Sequence, residues 1–236
     1  MKALSTKILV ALLGLALFAS SASAGAEFLA FGYADYEPAV DQVDAVVEVY
    51  GILAEAGGQE PPIPLDFVNY QYTLVITAWT VASVSQPIPT VRFVDHDGGI
   101  VRIYSDPVAG GTAADYADRG TFTDGTKILE GNLADGFALV LSDNYGGSAD
   151  GLIDSGSGSG PMTWTGGSQF GYLTGIGYDP AEWDAFAQSV ADPGSGPAPG
   201  VTVPDGYDRV FDFKIVPRQG VADEETAWSD VKQLYR

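Results

Sequence analysis

The chain has 236 residues, with 31 Asp and Glu against 11 Lys and Arg, a formal charge of −20. It has no cysteine and one histidine, which excludes thiolate metal sites, iron–sulfur clusters, disulfides and thiol catalysis. The charge has the wrong sign for a phosphate-binding surface, so no nucleic-acid partner is expected, while a hydrophobic fraction of 46% is that of a folded protein.

Residues 1–24 read as a secretory signal peptide. Lys2 and Lys7 form its basic start, residues 8–18 its apolar stretch, and Ala22-Ser23-Ala24 a small-residue cleavage pattern. The apolar run falls short of the roughly 20 residues a spanning helix needs. No later segment is apolar enough to span a bilayer, so the mature chain is expected to carry no membrane span. The expected location is extracytoplasmic: secreted, periplasmic or on the cell surface. Three parts follow: the signal peptide at 1–24, a β domain at 25–217 and a C-terminal helical tail at 218–236.

Within the β domain, residues 43–54 carry two patterns. Val43, Val47, Tyr50 and Ala54 fit helical spacing, but the β-branched density favours a strand. Residues 68–77 alternate except at Val75, with Val68, Tyr70, Tyr72, Leu74 and Ile76 on one face and Asn69, Gln71, Thr73 and Thr77 on the other, which predicts a half-buried strand. Asp-Gly, a strong hairpin signal, occurs at 97–98, 124–125, 135–136, 150–151 and 205–206. Residues 90–94 and 100–104 are therefore expected to pair about the turn 95–99. Residues 127–133 and 137–141 are expected to pair about Asp135-Gly136.

The Gly/Ser run at 155–160 reads as a loop before a short strand at 162–165. Asp179 and Pro180 fit a helix cap and first position, predicting a helix over 180–191. Residues 207–216 read as a last strand, with Phe211, Phe213 and Ile215 on its core face. Asp223 would cap a helix running to Tyr235. About eight strands with one or two short peripheral helices predict an all-β fold. A β-sandwich of jelly-roll type is expected, with a closed β-barrel as the alternative.

Several segments resemble exported bacterial β-rich proteins with no assigned function. They run from Pro64-Leu65-Asp66-Phe67 to Tyr72-Thr73, then Ile103-Tyr104-Ser105-Asp106-Pro107. Residues 122–131, Trp164-Thr165-Gly166-Gly167 and Pro204-Asp205-Gly206-Tyr207-Asp208 complete the set. The resemblance covers 44–217. It implies an all-β exported domain and carries no activity or site residue.

The only histidine lies in Asp95-His96-Asp97, and no Gly-x-Ser-x-Gly elbow accompanies it, so a solvated turn is the expected reading and no catalytic residue is assigned. Calcium suits the acidic loops better, since a hard cation takes close-spaced carboxylates and carbonyls on a glycine-rich chain. Asp143, Asn144, Asp150 and Asp154 form the candidate set, and Asp95 with Asp97 a lesser one, against ordinary acidic turns for both. A glycosidase would need two facing carboxyls. Glu48, Glu130 and Asp212 lie on predicted strands, where outward acids are usually solvated. Trp79, Trp164 and Tyr172 are candidate sugar-stacking aromatics, unless they are core.

The first functional expectation is an exported non-enzymatic module with a binding or cell-envelope structural role, its partner a glycan or an envelope protein. The alternative is a carbohydrate-active module, lectin-like or hydrolytic. The tail is a further docking candidate, against the simpler reading of a helix packed on the domain.

Overall fold

The computed structural model describes residues 27–38, 42–54, 61–88, 91–135, 137–142, 155–176, 178, 181–189 and 203–217. Nine strands form one antiparallel sheet: β1 Phe28–Glu37, β2 Val46–Ala54, β3 Tyr70–Ile88, β4 Val91–Pro107, β5 Thr126–Leu133, β6 Phe137–Ser142, β7 Ser155–Gly166, β8 Ala181–Ser189 and β9 Arg209–Pro217. One short helix, α1 (Phe170–Gly175), joins β7 to β8.

The ladder closes on itself. β1 pairs with β2 on one side and with β9 on the other, and β3 pairs with both β2 and β4. β5 and β6 share one place in this ring. Ile100 to Ser105 of β4 pair with β5, Val91 to His96 pair with β6, and both partners run antiparallel to β4. The all-β expectation and its count of about eight strands therefore hold. Sequential neighbours pair around the ring, which is an up-and-down order rather than the Greek-key order of a jelly roll. The ring is uneven, since β3 and β4 run 19 and 17 residues while β6 has 6. Such a ring is compatible with a flattened sandwich and with a barrel.

Both expected hairpins are corrected. Residues 95–99 lie inside the continuous strand β4, where Gly98 and Gly99 take φ of 68° and 106°. Asp135 lies where one strand path breaks into β5 and β6. At 97–99 the positive φ that builds a type I′ turn builds a strand irregularity instead, so Asp-Gly there marked the local conformation and not a chain reversal. The helix expected at 180–191 is strand β8, hydrogen-bonded on both sides to β7 and β9. The Gly/Ser run 155–160 is likewise ladder, the start of β7, because backbone groups pair whatever the side chains. β2 is a strand, as its β-branched residues favour, and β9 buries Phe211, Phe213 and Ile215 as expected. The expected signal peptide at 1–24, the expected tail helix and residues 143–154 lie outside the described residues.

The inward face follows the period of two. One row across the ring reads Arg209, Ala34, Val49, Ile76, Val101, Gly131 and Trp164, each in register with the next. Three tryptophans fill the interior. Trp79 meets Trp183 edge-on at 5.6 Å and stacks on His96 at 4.3 Å. Trp164 meets Phe28 at 5.9 Å. The β1–β2 contact requires Gly32, because a Cβ there would lie 1.9 Å from the Tyr50 carbonyl oxygen.

Candidate functional site

The sheet buries residues on its outer face as well. Tyr50 and Val75 are in register on β2 and β3, and Tyr33 of β1 is in register with Tyr50. All three side chains point outward, where Tyr50, Val75, Phe122 and Tyr207 form a second apolar cluster. The 108–125 segment between β4 and β5 supplies its cover and is called the strap below.

The strap is ordered by its own acids before it touches the sheet. Asp118 caps a 3-10 turn, Arg119–Phe122, by accepting the Gly120 amide at 3.1 Å. Asp115 accepts the Ala117 amide at 2.9 Å, and the Thr121 hydroxyl donates to the Asp118 carbonyl at 2.7 Å. These are Asx and Thr turns, so part of the negative charge is local turn chemistry. Asp66 does the same at the entry to β3, accepting the amides of Val68 and Asn69. Its carboxyl is held below its usual range first by the Asn69 side-chain amide and then by these backbone amides.

Three kinds of contact seat the strap. Phe122 is fully buried, with its ring 5.5 Å from Tyr50 and 4.9 Å from Tyr116. The Thr73 hydroxyl donates to the Phe122 carbonyl at 2.7 Å, and the Ala114 amide donates to the Gln71 side chain at 2.8 Å. Arg119 supplies the third contact. Its Nη2 reaches Asp35 Oδ2 at 2.7 Å and the Gly206 carbonyl at 2.6 Å, and its Nη1 reaches Glu48 Oε2 at 3.3 Å. The guanidinium lies 4.7 Å from the Tyr207 ring centre and 5.4 Å from that of Tyr50. Burial works against its charge, but the Asp35 bond and charge outweigh it, so its pKa is raised. The Tyr50 hydroxyl donates to Glu48 at 2.9 Å, and burial followed by that bond pushes the phenol up.

Next to this seat, Asp208 replaces a ladder partner for β1. Its backbone amide donates to the Ala34 carbonyl at 2.9 Å, and its carboxylate accepts the Tyr36 amide at 2.8 Å. Burial raises its pKa. The charge of hydrogen-bonded Asp35 adds to this, while the Tyr36 amide and Arg209 oppose it.

The carboxyls singled out in the sequence are dispersed. Glu130 on β5 binds Lys127 at 2.9 Å and Arg102 at 2.7 Å, and these two bonds, in that order, hold it ionised. Glu48 belongs to the Arg119 seat. Asp212 stands on the outer face of β9 in register with Phe31, and burial raises its pKa. Trp79 and Trp164 are core, which removes them as sugar-stacking residues; Tyr172 is half exposed on α1. His96 is not in a solvated turn but fully buried against Trp79.

Asp95 and Asp97 flank His96 on the opposite face of β4. Asp95 accepts a hydrogen bond from the Ser83 hydroxyl. Among the described residues no three His, Asp or Glu side chains converge as a metal site. Asp143, Asn144, Asp150 and Asp154 lie outside the described residues. Also among the described residues, no helix is long and apolar enough to cross a membrane.

Sequence reasoning missed the Arg119 seat. Its parts come from β1, β2, the strap and the turn before β9, which no local pattern connects. One signal was present: Arg119 is the only basic residue between Arg102 and Lys127. No protein-family model, no curated protein and no solved structure matches this chain.

Proposed function

We propose that this chain is an exported, non-enzymatic β module with a binding or cell-envelope structural role. The observation that carries the reading is the use of three of its outward carboxylates. Glu130, Asp35 and Glu48 are each engaged by Arg or Lys. A carboxylate whose oxygens are already taken by a guanidinium or an ammonium ties the fold together and is not free for a substrate. Export is read from the basic, apolar and small-residue pattern of residues 1–24, which supports a location outside the cytoplasm. The mass of the mature chain from the native host tests this part, and an intact residue 1 would contradict it.

A second reading, a carbohydrate-active module, is favoured by one observation. Asp208 is a carboxyl of raised pKa hydrogen-bonded to another carboxyl, Asp35. A glycan array and a hydrolysis assay on chromogenic glycosides separate the two readings. The first expects no turnover. Turnover abolished by Asp208→Asn would establish the second.

Calcium binding through Asp143, Asn144, Asp150 and Asp154 remains part of the proposal as an accessory stabiliser. A thermal melt with calcium and then with chelator tests it, since a ligand bound only to the native state must raise the melting temperature. An unchanged melt removes the metal.

A further inference from the structure

We propose that the Arg119 seat is a guanidinium-recognition site. Arg119 fills it in cis, and an arginine side chain of a partner peptide takes it when the Arg119 side chain swings out. The inference deepens the binding reading above and rests on it.

The seat has the parts that planar-cation recognition needs. Carboxylates at Asp35 and Glu48 and the Gly206 carbonyl supply acceptors around the fork of a guanidinium. The Tyr50 and Tyr207 rings supply π faces. Tyr116 packs edge-on against Tyr33 at 4.7 Å and against Tyr207 at 5.8 Å, which fixes the walls. The Arg119 side chain is 33% exposed, so the seat opens to solvent.

A second observation is the field around it. Asp35, Glu48, Asp115, Asp118, Asp205 and Asp208 all lie on β1, β2, the strap and the turn before β9. Arg119 is the only Lys or Arg on those four segments. A seat so surrounded attracts a cationic partner and repels an anionic one. Arg119 itself shows what fits: a side chain on a tether at both ends, which competes at an effective concentration in the millimolar range.

The test uses the full chain with Arg119→Ala and with wild type. The probe is N-acetyl-arginine amide, titrated calorimetrically, with N-acetyl-lysine amide as the control of equal charge. Saturable binding of the arginine probe to R119A is expected, at least about tenfold tighter than to wild type, because the tethered competitor is gone. The lysine probe is expected to bind at least about tenfold more weakly, because it lacks the planar fork. The double variant R119A with Asp35→Asn is expected to lose the arginine probe.

No saturable binding to R119A overturns the proposal, and so does equal binding of the lysine probe. If R119A does not fold alone, the readout becomes the melting temperature of R119A with each probe, and no rise specific to arginine overturns it. Failure here leaves the non-enzymatic reading standing, since that reading is decided by the turnover assay.

Discussion

Replacing Phe122 by Ala should unseat the strap and leave the ring folded. Phe122 is fully buried, and its ring contacts belong to the outer cluster, separate from the tryptophan core. A buried Phe removes about 150–250 Å² from water. At about 25 cal/mol per Å² that corresponds to about 4–6 kcal/mol, an upper figure because the unfolded chain already hides some of this area. Core Phe→Ala changes cost about 3–5 kcal/mol. Even the lower end, about 3 kcal/mol, raises the open population more than about a hundredfold.

The strap carries its own reporter, the Arg119–Gly120 bond, which trypsin cleaves once it is accessible. When opening is fast relative to cleavage, the cleavage rate follows the open population. The F122A chain should therefore be cut at Arg119 about a hundredfold faster than wild type in native buffer. Over the same interval the emission of buried Trp79, Trp164 and Trp183 should stay native. If Arg119 is cut only when the tryptophan signal is lost, strap and ring unfold as one unit and the reasoning fails.

Other expectations follow from single residues. Burial raises the pKa of Asp212, so its folded value exceeds its unfolded one. The fold then bears a penalty above the folded pKa, and that penalty is relieved as pH falls through it. Asp212→Asn should raise the melting temperature at pH 7, with the gain shrinking as pH falls to 4. A gain independent of pH would refute this. Gly32→Ala places a Cβ 1.9 Å from a backbone oxygen. It should lower stability by at least the roughly 1–3 kcal/mol of an overpacked site, read by urea melts; an unchanged midpoint would mean that β1 and β2 part easily. Trp79→Ala should cost about 3–5 kcal/mol with loss of near-ultraviolet tryptophan circular dichroism, because Trp79 joins His96, Trp183 and Phe211.

Strand positions were legible where side-chain alternation carried them. Residues 70–77 and 209–216 show it plainly, and β2 was decided by its valines. What failed was the reading of punctuation. Gly98 takes a positive φ, which a strand irregularity and a hairpin turn both use, and only the pairing partner distinguishes them. The cap signal at Asp179-Pro180 lost to two ladders of backbone hydrogen bonds around β8. The outer cluster was invisible for another reason. Thr73 looked like the solvent side of a half-buried strand and Val75 broke its alternation, until Phe122, 49 residues on from Thr73, covered them. Of the three aromatics considered for sugar stacking, Trp79 and Trp164 fill the interior and Tyr172 is half exposed.

The account depends most on the strap being seated on the sheet by Arg119, and hydrogen exchange of its amides tests this directly. Of four strap amides, that of Ala114 donates to the sheet, to Gln71 of β3, while those of Ala117, Thr121 and Thr123 donate within the strap. In the wild-type chain the Ala114 amide should exchange slowly, and in R119A it should exchange faster while the β1–β9 ladder stays protected. Free exchange of the Ala114 amide in wild type, or no change in R119A, would contradict the account.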